Sequence, residues 1–307
     1  MSAALGGIRL VLGGNAFGWT ADAATSARVL DAFVDGGGRM VDTAEEYSNW
    51  VPGHVGGESE TVIGNWLAKR RDREALRIHT KVGMSGKPGC LAPSVIERAI
   101  DGSLKRLRTD YVDLYYAHKD DPETPQKAVL ETFARLVEAG KVRTLGASNF
   151  SADRLASALR LSEANDWPRY EVLQPMYNLV ERRAFEGPLQ DLCVREGVAA
   201  LPYWGLAVGF LTGKFRHKED LGRGARGAFG VKYLDGNGPR VLAALDAIAA
   251  EVGAIQGQIA LAWLNAQPGI SAPIAGARNL EQVAELLGAA AVTLSPTQLM
   301  QLEKASR

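Results

Sequence analysis

The stretch from residue 40 to residue 60 begins Met40-Val41-Asp42-Thr43-Ala44-Glu45-Glu46-Tyr47, continues through a polar and aromatic loop, and closes on Gly56-Gly57-Glu58-Ser59-Glu60. Its first residues predict the end of a short strand, because a β-compatible apolar run is followed by a turn. Asp42 then lies at the C-terminal end of that strand, and Tyr47 lies in the loop beyond it. Acidic residues at 58 and 60 stand where a helix N-terminus favours negative charge. A carboxylate and a phenol this close together are a candidate acid–base pair, although an aspartate that caps a turn and a tyrosine that packs would give the same pattern.

Short, strand-like apolar runs recur along the chain with helical patterns between them. The predicted strands cover 9–12, 40–43, 77–82, 111–118, 142–148, 171–177, 199–204 and 270–275. The predicted helices cover 25–35, 59–70, 93–107, 126–139, 151–163, 185–196, 239–252, 256–266, 280–287 and 296–305. Strands that alternate with helices predict parallel βαβ units, and either an open doubly wound sheet or a closed barrel satisfies this alternation. Eight evenly spaced strands favour the barrel.

We therefore expect an α/β fold in which residues 1–307 form a single (β/α)8 TIM-barrel domain. The length of 307 residues suits this fold, since such barrels run to about 250 residues or more as one domain. The irregular region 212–238, rich in Gly, Arg and Lys, follows strand seven and predicts a long loop, either a lid or a disordered segment. The last helical pattern predicts an extra C-terminal helix.

Composition excludes several classes of protein. The chain is 46% hydrophobic and 23% charged, which is ordinary for a soluble globular protein. Lys and Arg together number 35, as do Asp and Glu, so the formal net charge is zero. A general nucleic-acid binder or a binder of anionic membranes needs an excess of basic residues, which this chain lacks. Zero net charge also gives little protection from self-association, so a homo-oligomer is compatible with the sequence.

The cysteines and the first residues indicate a cytoplasmic protein. Cys90 and Cys193 form neither a CxxC pair nor a disulfide framework, which suggests a reducing compartment. Residues 1–7 show neither the basic start nor the long apolar core of a signal peptide. The longest uncharged run, 198–213, is broken by a proline and by glycines, and it is shorter than the roughly 20 residues that a membrane span requires.

In a barrel, functional residues collect at the C-terminal ends of the strands. Each predicted strand end carries a polar, aromatic or glycine residue. From the first strand to the eighth these are Gly13-Gly14-Asn15, Asp42 with Tyr47, Lys81, His118, Ser148-Asn149, Gln174, Tyr203-Trp204 and Gly276-Ala277-Arg278. Asp42, Lys81 and His118 follow on consecutive strands, so we expect them to be neighbours in space.

Lys81 connects these groups. A buried ammonium needs a carboxylate partner, which Asp42 on the adjacent strand can supply. An ammonium also makes a nearby phenol a stronger acid, because it stabilises the phenolate. At a separation of about 4 Å and an effective dielectric near 20 the attraction is roughly 4 kcal/mol, enough to bring Tyr47 into the range of a general acid. His118 can then share the proton or orient a carbonyl; the ordinary alternative is a buried salt bridge beside a packing histidine.

These residues, in this chain order, resemble the aldo-keto reductase family. The strand-two block Val41-Asp42-Thr43-Ala44-x-x-Tyr47 with Gly57-Glu58-Ser59-Glu60 is similar to the family signature. Further similar blocks are Thr80-Lys81-Val82-Gly83, 110–118, 140–150, 174–179, Leu211-Thr212-Gly213-Lys214 and Gly276-Ala277-Arg278-Asn279. The resemblance covers nearly the whole chain. It implies a TIM barrel that binds NADP(H) without a Rossmann fold and reduces an aldehyde or ketone, or oxidises the alcohol, with no metal.

The resemblance also implies roles for single residues. Tyr47 is the general acid, Lys81 and Asp42 tune it, and His118 positions the carbonyl. The nicotinamide is held by Ser148, Asn149, Gln174 and Tyr203, and the adenosine 2′-phosphate and adenine by Gly276, Arg278, Gln282 and Glu285. The turn at Gly205 and Leu206 faces the phosphates, and Gly213 and Lys214 also bind the cofactor. Many relatives read Ser-Pro where this chain reads Trp204-Gly205, and some carry an arginine at the position of Gln282. We therefore expect a moderate rather than an absolute preference for NADP(H).

Three tryptophans, Trp19, Trp50 and Trp204, lie in loops beyond the strand ends. We expect them to border the pocket of a small-molecule substrate, although each could instead be an ordinary packing residue. Their rings suit a sugar, a steroid-like ring or an aryl aldehyde equally well, so the sequence does not name the substrate.

Other functions stay open at this point. A class I aldolase also places a lysine at a barrel strand end, for a Schiff base; the carboxylate of Asp42 beside Lys81 and the motif at 276–278 argue against it. Some members of the family act as cofactor-sensing regulatory subunits, and an intact catalytic set does not exclude that role. A Rossmann dehydrogenase is disfavoured, because the glycines of 13–18 do not form a GxGxxG pattern.

Overall fold

Eight parallel strands and ten α-helices alternate in the computed structural model, which describes residues 8–85, 87–223 and 230–307. The strands are β1 (Val11–Gly13), β2 (Met40–Asp42), β3 (Arg77–Val82), β4 (Val112–Ala117), β5 (Val142–Ser148), β6 (Tyr170–Gln174), β7 (Ala199–Ala200) and β8 (Ile274–Ala275). The helices are α1 (Ala23–Asp35), α2 (Glu58–Leu67), α3 (Pro93–Leu107), α4 (Gln126–Glu138), α5 (Ala152–Ala164), α6 (Pro188–Glu196), α7 (Gly238–Val252), α8 (Gln256–Ala266), α9 (Leu280–Gly288) and α10 (Pro296–Ser306).

The strands form one sheet in the order β7-β6-β5-β4-β3-β2-β1-β8, and every neighbouring pair is parallel. Backbone hydrogen bonds join its two edges. The N–H of Ala200 donates to the carbonyl of Gly269, and the N–H of Ser271 donates to the carbonyl of Ala200, both at 2.9 Å. The N–H of Ile274 donates to the carbonyl of Pro202 at 2.8 Å. The sheet therefore closes on itself, and the predicted (β/α)8 barrel is confirmed.

Strands β7 and β8 are much shorter than the predicted runs 199–204 and 270–275. Pro202 and Pro273 interrupt them, since proline has no N–H for the ladder. Pairing continues as single bridges, such as Met176 with Tyr203. Both strands consequently still reach the rim of the barrel.

Two apolar cores lie on the two sides of the sheet. The inner core fills the barrel and consists of Val11, Met40, Leu114, Tyr116, Val172, Ala199, Leu201, Ala272 and Ile274. The outer core lies between the strands and the helices. Because side chains alternate along a strand, and Ile78 and Val82 of β3 belong to the outer core, His79 and Lys81 of that strand point into the barrel.

Local sequence sets several helix ends. Asp22 and Ser151 accept hydrogen bonds from N–H groups in the first turns of α1 and α5, which is the usual role of an N-cap. Gly197 and Gly253 end α6 and α7 in the left-handed backbone conformation. The predicted helix 151–163 is therefore shifted by one residue, because Ser151 caps it rather than joining it.

The region after β7 contains three short 3₁₀ turns, at Ala207–Thr212, Lys218–Arg223 and Val231–Tyr233. Residues 224–229, within the predicted long loop 212–238, lie outside the described residues. Helix α10 packs against α7, so the predicted extra C-terminal helix is confirmed. In the described part of the chain no helix is by itself long and apolar enough to cross a bilayer; α7 and α8 pass on length and composition only as a pair, bent by 97°.

Candidate active site

Strands β2 and β3 bring Asp42 and Lys81 together at the C-terminal end of the barrel. Both side chains are buried, with exposed fractions of 1% and 0%. Lys81 Nζ lies 2.6 Å from Asp42 Oδ2, 2.7 Å from the carbonyl oxygen of Thr43 and 2.9 Å from the hydroxyl oxygen of Tyr47. The predicted pairing of Lys81 with Asp42 and its contact with Tyr47 are both confirmed.

The charge of Lys81 is maintained by protein groups rather than by water. Burial lowers the pKa of Lys81 below its ordinary value, and the charge of Asp42 and its hydrogen bond oppose this shift only in part. An ammonium has three donors, and the three oxygen atoms around Nζ use all of them. Removing the carboxylate would leave a buried cation without a counter-charge, which is strongly unfavourable. Asp42 thus favours the charged form of this lysine against the effect of burial.

Tyr47 reaches the pair from the loop between β2 and α2. Its hydroxyl oxygen lies 3.3 Å from Asp42 Oδ2, in addition to its contact with Lys81. The ammonium also lies 4.6 Å from the centroid of the Tyr47 ring, a distance at which the ring face attracts a cation. Proton transfer at the phenol oxygen is therefore coupled to one positive and one negative group.

His118 follows β4 and lies beside Tyr47, with 6.2 Å between the ring centroids. Burial, and then the charge of Lys81, hold the pKa of His118 well below its ordinary value. The imidazole is consequently neutral at physiological pH and carries one N–H donor. Its buried Nδ1 atom has no hydrogen-bond partner within the described ranges.

The start of α2 ties distant strands to this site. The Ser59 hydroxyl donates to the carbonyl of Gly14 at 2.8 Å. Glu60 is fully buried and accepts hydrogen bonds from the hydroxyl of Thr80 at 2.5 Å and from Arg106 Nε at 2.7 Å. The sequence predicts a helix start and a family motif at residues 58–60 but not these contacts, because the partners lie far away along the chain.

A second set of hydrogen bonds runs along the rim from β4 to β7. The Ser148 hydroxyl donates to the carbonyl of Gln174 at 2.8 Å. Asn149 Nδ2 donates to the carbonyl of His118 at 2.9 Å. The Tyr203 hydroxyl donates to Asn149 Oδ1 at 2.9 Å. The structure thus brings the four residues predicted to hold the nicotinamide into one connected group beside His118.

Gln174 also reaches across the barrel to Asp42. Its Nε2 atom donates to Asp42 Oδ1 at 3.0 Å, over a separation of 132 residues in the sequence. Both carboxylate oxygens of Asp42 are therefore engaged, one by Gln174 and the other by Lys81. The sequence predicted only a cofactor contact for Gln174, since β2 and β6 are not neighbours in the sheet and no local signal joins them.

Residues 9–307 match the family model described as "Aldo/keto reductase family". The chain belongs to the aldo/keto reductase family. It is 32% identical over 322 residues to Protein tas of Escherichia coli (strain K12), covering 96% of this chain and 92% of that protein. It is 32% identical over 296 residues to the "Uncharacterized oxidoreductase YrpG" of Bacillus subtilis (strain 168), covering 93% and 88%. It is 30% identical over 258 residues to "Aldo-keto reductase yakc [NADP(+)]" of Schizosaccharomyces pombe, covering 81% and 75%. The resemblance seen in the sequence motifs is confirmed.

Aldo/keto reductases use nicotinamide cofactors, and the rim of this member suits one. A Cβ atom at Gly276 would lie 3.1 Å from the carbonyl oxygen of Gly13 and 3.2 Å from Asn15 Oδ1, although Gly276 is exposed. A glycine there lets another molecule approach the backbone closely. The half-buried ring of Tyr203 and the buried polar groups of Ser148 lie on the same rim. A flat aromatic amide needs such a ring face next to hydrogen-bonding groups.

The residues predicted to face the cofactor phosphates lie on or next to the first 3₁₀ turn after β7. Gly205 is buried, and a Cβ there would lie 3.2 Å from Leu264 Cδ1. Leu206 packs against the outer core. Gly213 ends the turn with a φ of 76°. Lys214 is exposed, and its ammonium lies 5.0 Å from the centroid of the neighbouring Phe215 ring.

The residues predicted to face the adenosine lie near the start of α9. Arg278 and Glu285 are exposed, and Gln282 is half-buried. The side chain of Asn279 accepts from the N–H of Gln282 at 2.9 Å, and Gln282 Oε1 accepts from the N–H of Arg278 at 3.0 Å. The backbone N–H groups of Arg278 and Gln282 are thus already capped by side chains, so at these two positions a phosphate would not find an unbonded N–H.

The three tryptophans divide into two places. Trp19 and Trp50 meet edge to face, with centroids 5.7 Å apart, and Trp50 lies 6.2 Å from the Tyr47 ring. Trp50 is 52% exposed. Trp204 meets the ring of Tyr203 edge-on at 5.9 Å. The first two therefore form an aromatic wall beside Tyr47, whereas the third borders the group predicted to hold the nicotinamide.

Within the described residues, no group of three or more His, Cys, Asp or Glu side chains is arranged to hold a metal ion. Cys193 is buried, and burial raises the pKa of its thiol to about 12. The thiol is therefore neutral at physiological pH and a poor nucleophile.

Proposed function

We propose that the protein is an NADP(H)-dependent oxidoreductase that reduces an aldehyde or ketone to an alcohol, or catalyses the reverse, with Tyr47 as general acid and base. The observation that carries this proposal is the Tyr47 hydroxyl oxygen 2.9 Å from the Lys81 ammonium, which Asp42 neutralises at 2.6 Å. Membership of the aldo/keto reductase family supports carbonyl reduction in general.

Tyr47 donates its phenolic proton to the carbonyl oxygen as that oxygen gains negative charge. The Lys81 ammonium, 2.9 Å from the phenol oxygen, stabilises the phenolate that remains. Asp42 keeps the ammonium charged in a place where burial lowers the pKa of Lys81. In the direction of alcohol oxidation, the phenolate accepts the proton again.

His118 orients the substrate. A neutral imidazole donates an N–H to the carbonyl oxygen and adds no second positive charge next to Lys81. This places the oxygen between His118 and Tyr47, and general acid catalysis requires a proton donor within hydrogen-bond reach of the oxygen. The low pKa of His118, which follows from its burial, suits this role as a positioning donor rather than as the acid.

The bound nicotinamide supplies the hydride. Ser148, Asn149 and Gln174 would hold its carboxamide, and Tyr203 would lie against its ring. Asn149 and Gln174 are already oriented by hydrogen bonds to His118 and Asp42. Binding of the nicotinamide beside Tyr47 would therefore need little rearrangement of the strands. Contacts that are ordered before binding reduce its entropic cost. The backbone at Gly205 and Leu206, with Gly213 and Lys214, would face the phosphates.

NADP(H) is the proposed cofactor in preference to NAD(H). Arg278 is the main partner for the 2′-phosphate, through charge-assisted hydrogen bonds from its guanidinium. Gly276, Gln282 and Glu285 would surround the adenosine, and the Gln282 side chain holds the backbone of Arg278 by its 3.0 Å hydrogen bond. The name of the fission-yeast relative includes NADP(+), which supports this choice.

The alternative functions are less compatible with the site. A Schiff-base aldolase needs a neutral, accessible lysine amine, whereas Lys81 is completely buried and all its donors are used. A cofactor-sensing regulatory subunit would share the same site geometry, so turnover is what distinguishes it. We further propose that residues 1–307 act as one domain, in the cytoplasm, on a small molecule, without a nucleic-acid or membrane partner. The zero net charge supports these choices and permits a homo-oligomer.

The test is a panel of aldehydes, ketones and sugars assayed with NADPH. We expect NADPH to be consumed and an alcohol to form with at least one of these carbonyl classes, and both to be lost in Tyr47→Phe. Tight NADPH binding without turnover of any carbonyl would favour the regulatory subunit. Trapping of a substrate on Lys81 by borohydride would favour the aldolase.

A further inference from the structure

The backbone between β2 and Tyr47 departs from the sheet in an unusual way. The N–H of Thr43 donates to the carbonyl of His79 at 2.9 Å, and the N–H of Glu45 donates to the carbonyl of Lys81 at 3.4 Å. The next bond of a parallel ladder would run from the N–H of Gly83 to the carbonyl of Glu45. Instead, the N–H of Gly83 donates to the carboxylate Oε1 of Glu45 at 3.3 Å. A side chain thus takes the place of a backbone carbonyl where the chain begins to turn.

Because the side chain of Glu45 accepts this hydrogen bond, the backbone of Glu45 is able to turn away from β3. The N–H of Tyr47 donates to the carbonyl of Ala44 at 3.2 Å, which closes a tight turn. The carbonyl oxygen of Glu45 faces Gly56, where a Cβ atom would come within 2.9 Å of it and where φ is 96°. Only a glycine accommodates both this contact and this backbone conformation. Glu45 is therefore fixed on both sides of the turn that presents Tyr47.

We propose that Glu45 is a positioning residue. Its two hydrogen bonds attach the turn that carries Tyr47 to the end of β3, and we call this attachment the clip. The clip sets how firmly the Tyr47 hydroxyl is held against Lys81. The clip consists of two hydrogen bonds. In the first, the backbone N–H of Glu45 donates to the carbonyl of Lys81. In the second, the N–H of Gly83 donates to the carboxylate of Glu45. This role rests on the proposed function of Tyr47 as proton donor, because a looser turn then displaces the reacting group.

The strength of the clip depends on the charge of the Glu45 carboxyl group. That group faces Glu60 of α2, Arg106 of α3, Tyr115 of β4 and Glu46 of its own loop. Burial first, with help from the two glutamates, raises the pKa of Glu45 to about 7, while the N–H of Gly83, which donates to the carboxylate, and Arg106 act in the opposite direction. A carboxylate accepts an N–H more strongly than a carboxylic acid does. The clip therefore tightens as the pH rises through neutrality.

Three substitutions of Glu45 distinguish the effect of its hydrogen-bond acceptor from the effect of its negative charge. Glu45→Gln keeps an acceptor oxygen at the same reach but has no charge. Glu45→Asp keeps the charge but is one methylene shorter, so its oxygens withdraw from the N–H of Gly83. Glu45→Ala removes both. Glu123 is an exposed carboxylate in the loop after β4, and Glu123→Gln is the matched control for the loss of one negative charge at the same end of the barrel.

The measurement is the single-turnover rate of carbonyl reduction at saturating NADPH, from about pH 5 to about pH 9. We expect Glu45→Ala and Glu45→Asp to be slower by about tenfold, because a misplacement of about 1 Å can cost up to about a hundredfold. Glu45→Gln stays within about threefold of the wild type, since it keeps the acceptor. The wild-type profile contains a component with a midpoint of about 7, which is lost in Glu45→Gln and retained in Glu123→Gln. The Kd for NADPH stays the same in all variants.

The proposal is overturned if Glu45→Asp matches the wild type, or if the neutral-pH component survives in Glu45→Gln. Far-UV circular dichroism shows whether each variant folds. If Glu45→Ala does not fold, the rates of Glu45→Gln and Glu45→Asp test the proposal. Tyr47→Phe separates this proposal from the function on which it rests. An inactive Tyr47→Phe with normal Glu45 variants refutes only the positioning role, whereas an active Tyr47→Phe refutes the proposed function itself.

Discussion

The catalytic end and the adenosine end of the rim hold their polar groups in different ways. Asp42 and Lys81 are 1% and 0% exposed, and each has protein partners before any ligand binds. Arg278 and Glu285 are exposed near the start of α9. Charges at the first place interact in a water-poor environment, whereas charges at the second are screened by water and salt. The geometry for proton transfer is thus built into the folded chain, while the choice of cofactor depends on a few solvated contacts.

Lys81→Met is the substitution expected to have the largest effect. It removes the centre of the hydrogen-bonded group and leaves the buried Asp42 carboxylate without a counter-charge, at a cost of about 3–5 kcal/mol of stability. Catalysis should be abolished, which single-turnover rates and urea unfolding would measure together. The double variant Asp42→Asn/Lys81→Met should regain stability and stay inactive. Wild-type turnover in Lys81→Met would contradict the claim that proton transfer depends on the buried pair of Asp42 and Lys81.

Tyr47→Phe should have the next largest effect, and only on chemistry. It removes one oxygen atom from a half-buried ring, so the fold and the NADPH Kd should stay close to those of the wild type. The rate of carbonyl reduction should fall by about a thousandfold, the size expected for loss of a general acid. Single-turnover rates are the right measurement, because cofactor release can limit the steady-state rate. A near wild-type rate would show that another group supplies the proton.

Two groups have intermediate effects, the half-buried Glu45 and the buried His79, and they act on stability in opposite directions. The pKa of Glu45 is raised from 4.5 to about 7, so its stabilising contribution is complete below about pH 4.5 and is lost as the pH rises through about 7. The pKa of His79 is lowered from 6.5 to about 4, chiefly by burial, so its contribution is complete above about pH 6.5 and is lost as the pH falls to about 4.

Glu45→Gln should therefore become more stable relative to the wild type as the pH rises from about 5 to about 8, by roughly 1–3 kcal/mol. His79→Gln should show the opposite trend, gaining relative stability as the pH falls. Urea unfolding of the two variants and the wild type across this pH range is the measurement. A constant difference between Glu45→Gln and the wild type would mean that the carboxyl group does not titrate in this range.

Arg278→Ala should have the smallest effect, because the guanidinium is exposed. We expect the NADPH Kd to increase by about tenfold, the loss of one screened charge-assisted contact, with the NADH Kd unchanged. Dissociation constants for both cofactors, in wild type and variant and at two salt concentrations, test this. If Arg278→Ala weakens the binding of NADPH and NADH equally, or weakens neither, then Arg278 does not bind the 2′-phosphate. The difference between the buried and the exposed end of the rim would then be larger than proposed.

Much of the fold followed from local chemistry. The predicted bounds of β3, β5, α3 and α8 agree with the structure, because apolar periodicity and flanking caps or breakers act over a few residues. The prediction was least accurate at β7 and β8, where prolines leave only short ladders between single bridges. The residues at the strand ends were also predicted, since parallel strands deliver their last residues to one rim.

By itself, the sequence determined the alternation of strands and helices, the family, and which side chains stand at the strand ends, because these depend on residue type and on spacing along the chain. Only the tertiary structure decided which atoms meet. The contact of Gln174 with Asp42 spans 132 residues, Glu60 joins Thr80 to Arg106, and the Glu45 carboxylate replaces a carbonyl opposite Gly83. No local pattern encodes these contacts, since each exists only after the barrel has closed and brought its partners together. Closure is also what excludes water from Lys81, and so makes its charge depend on Asp42.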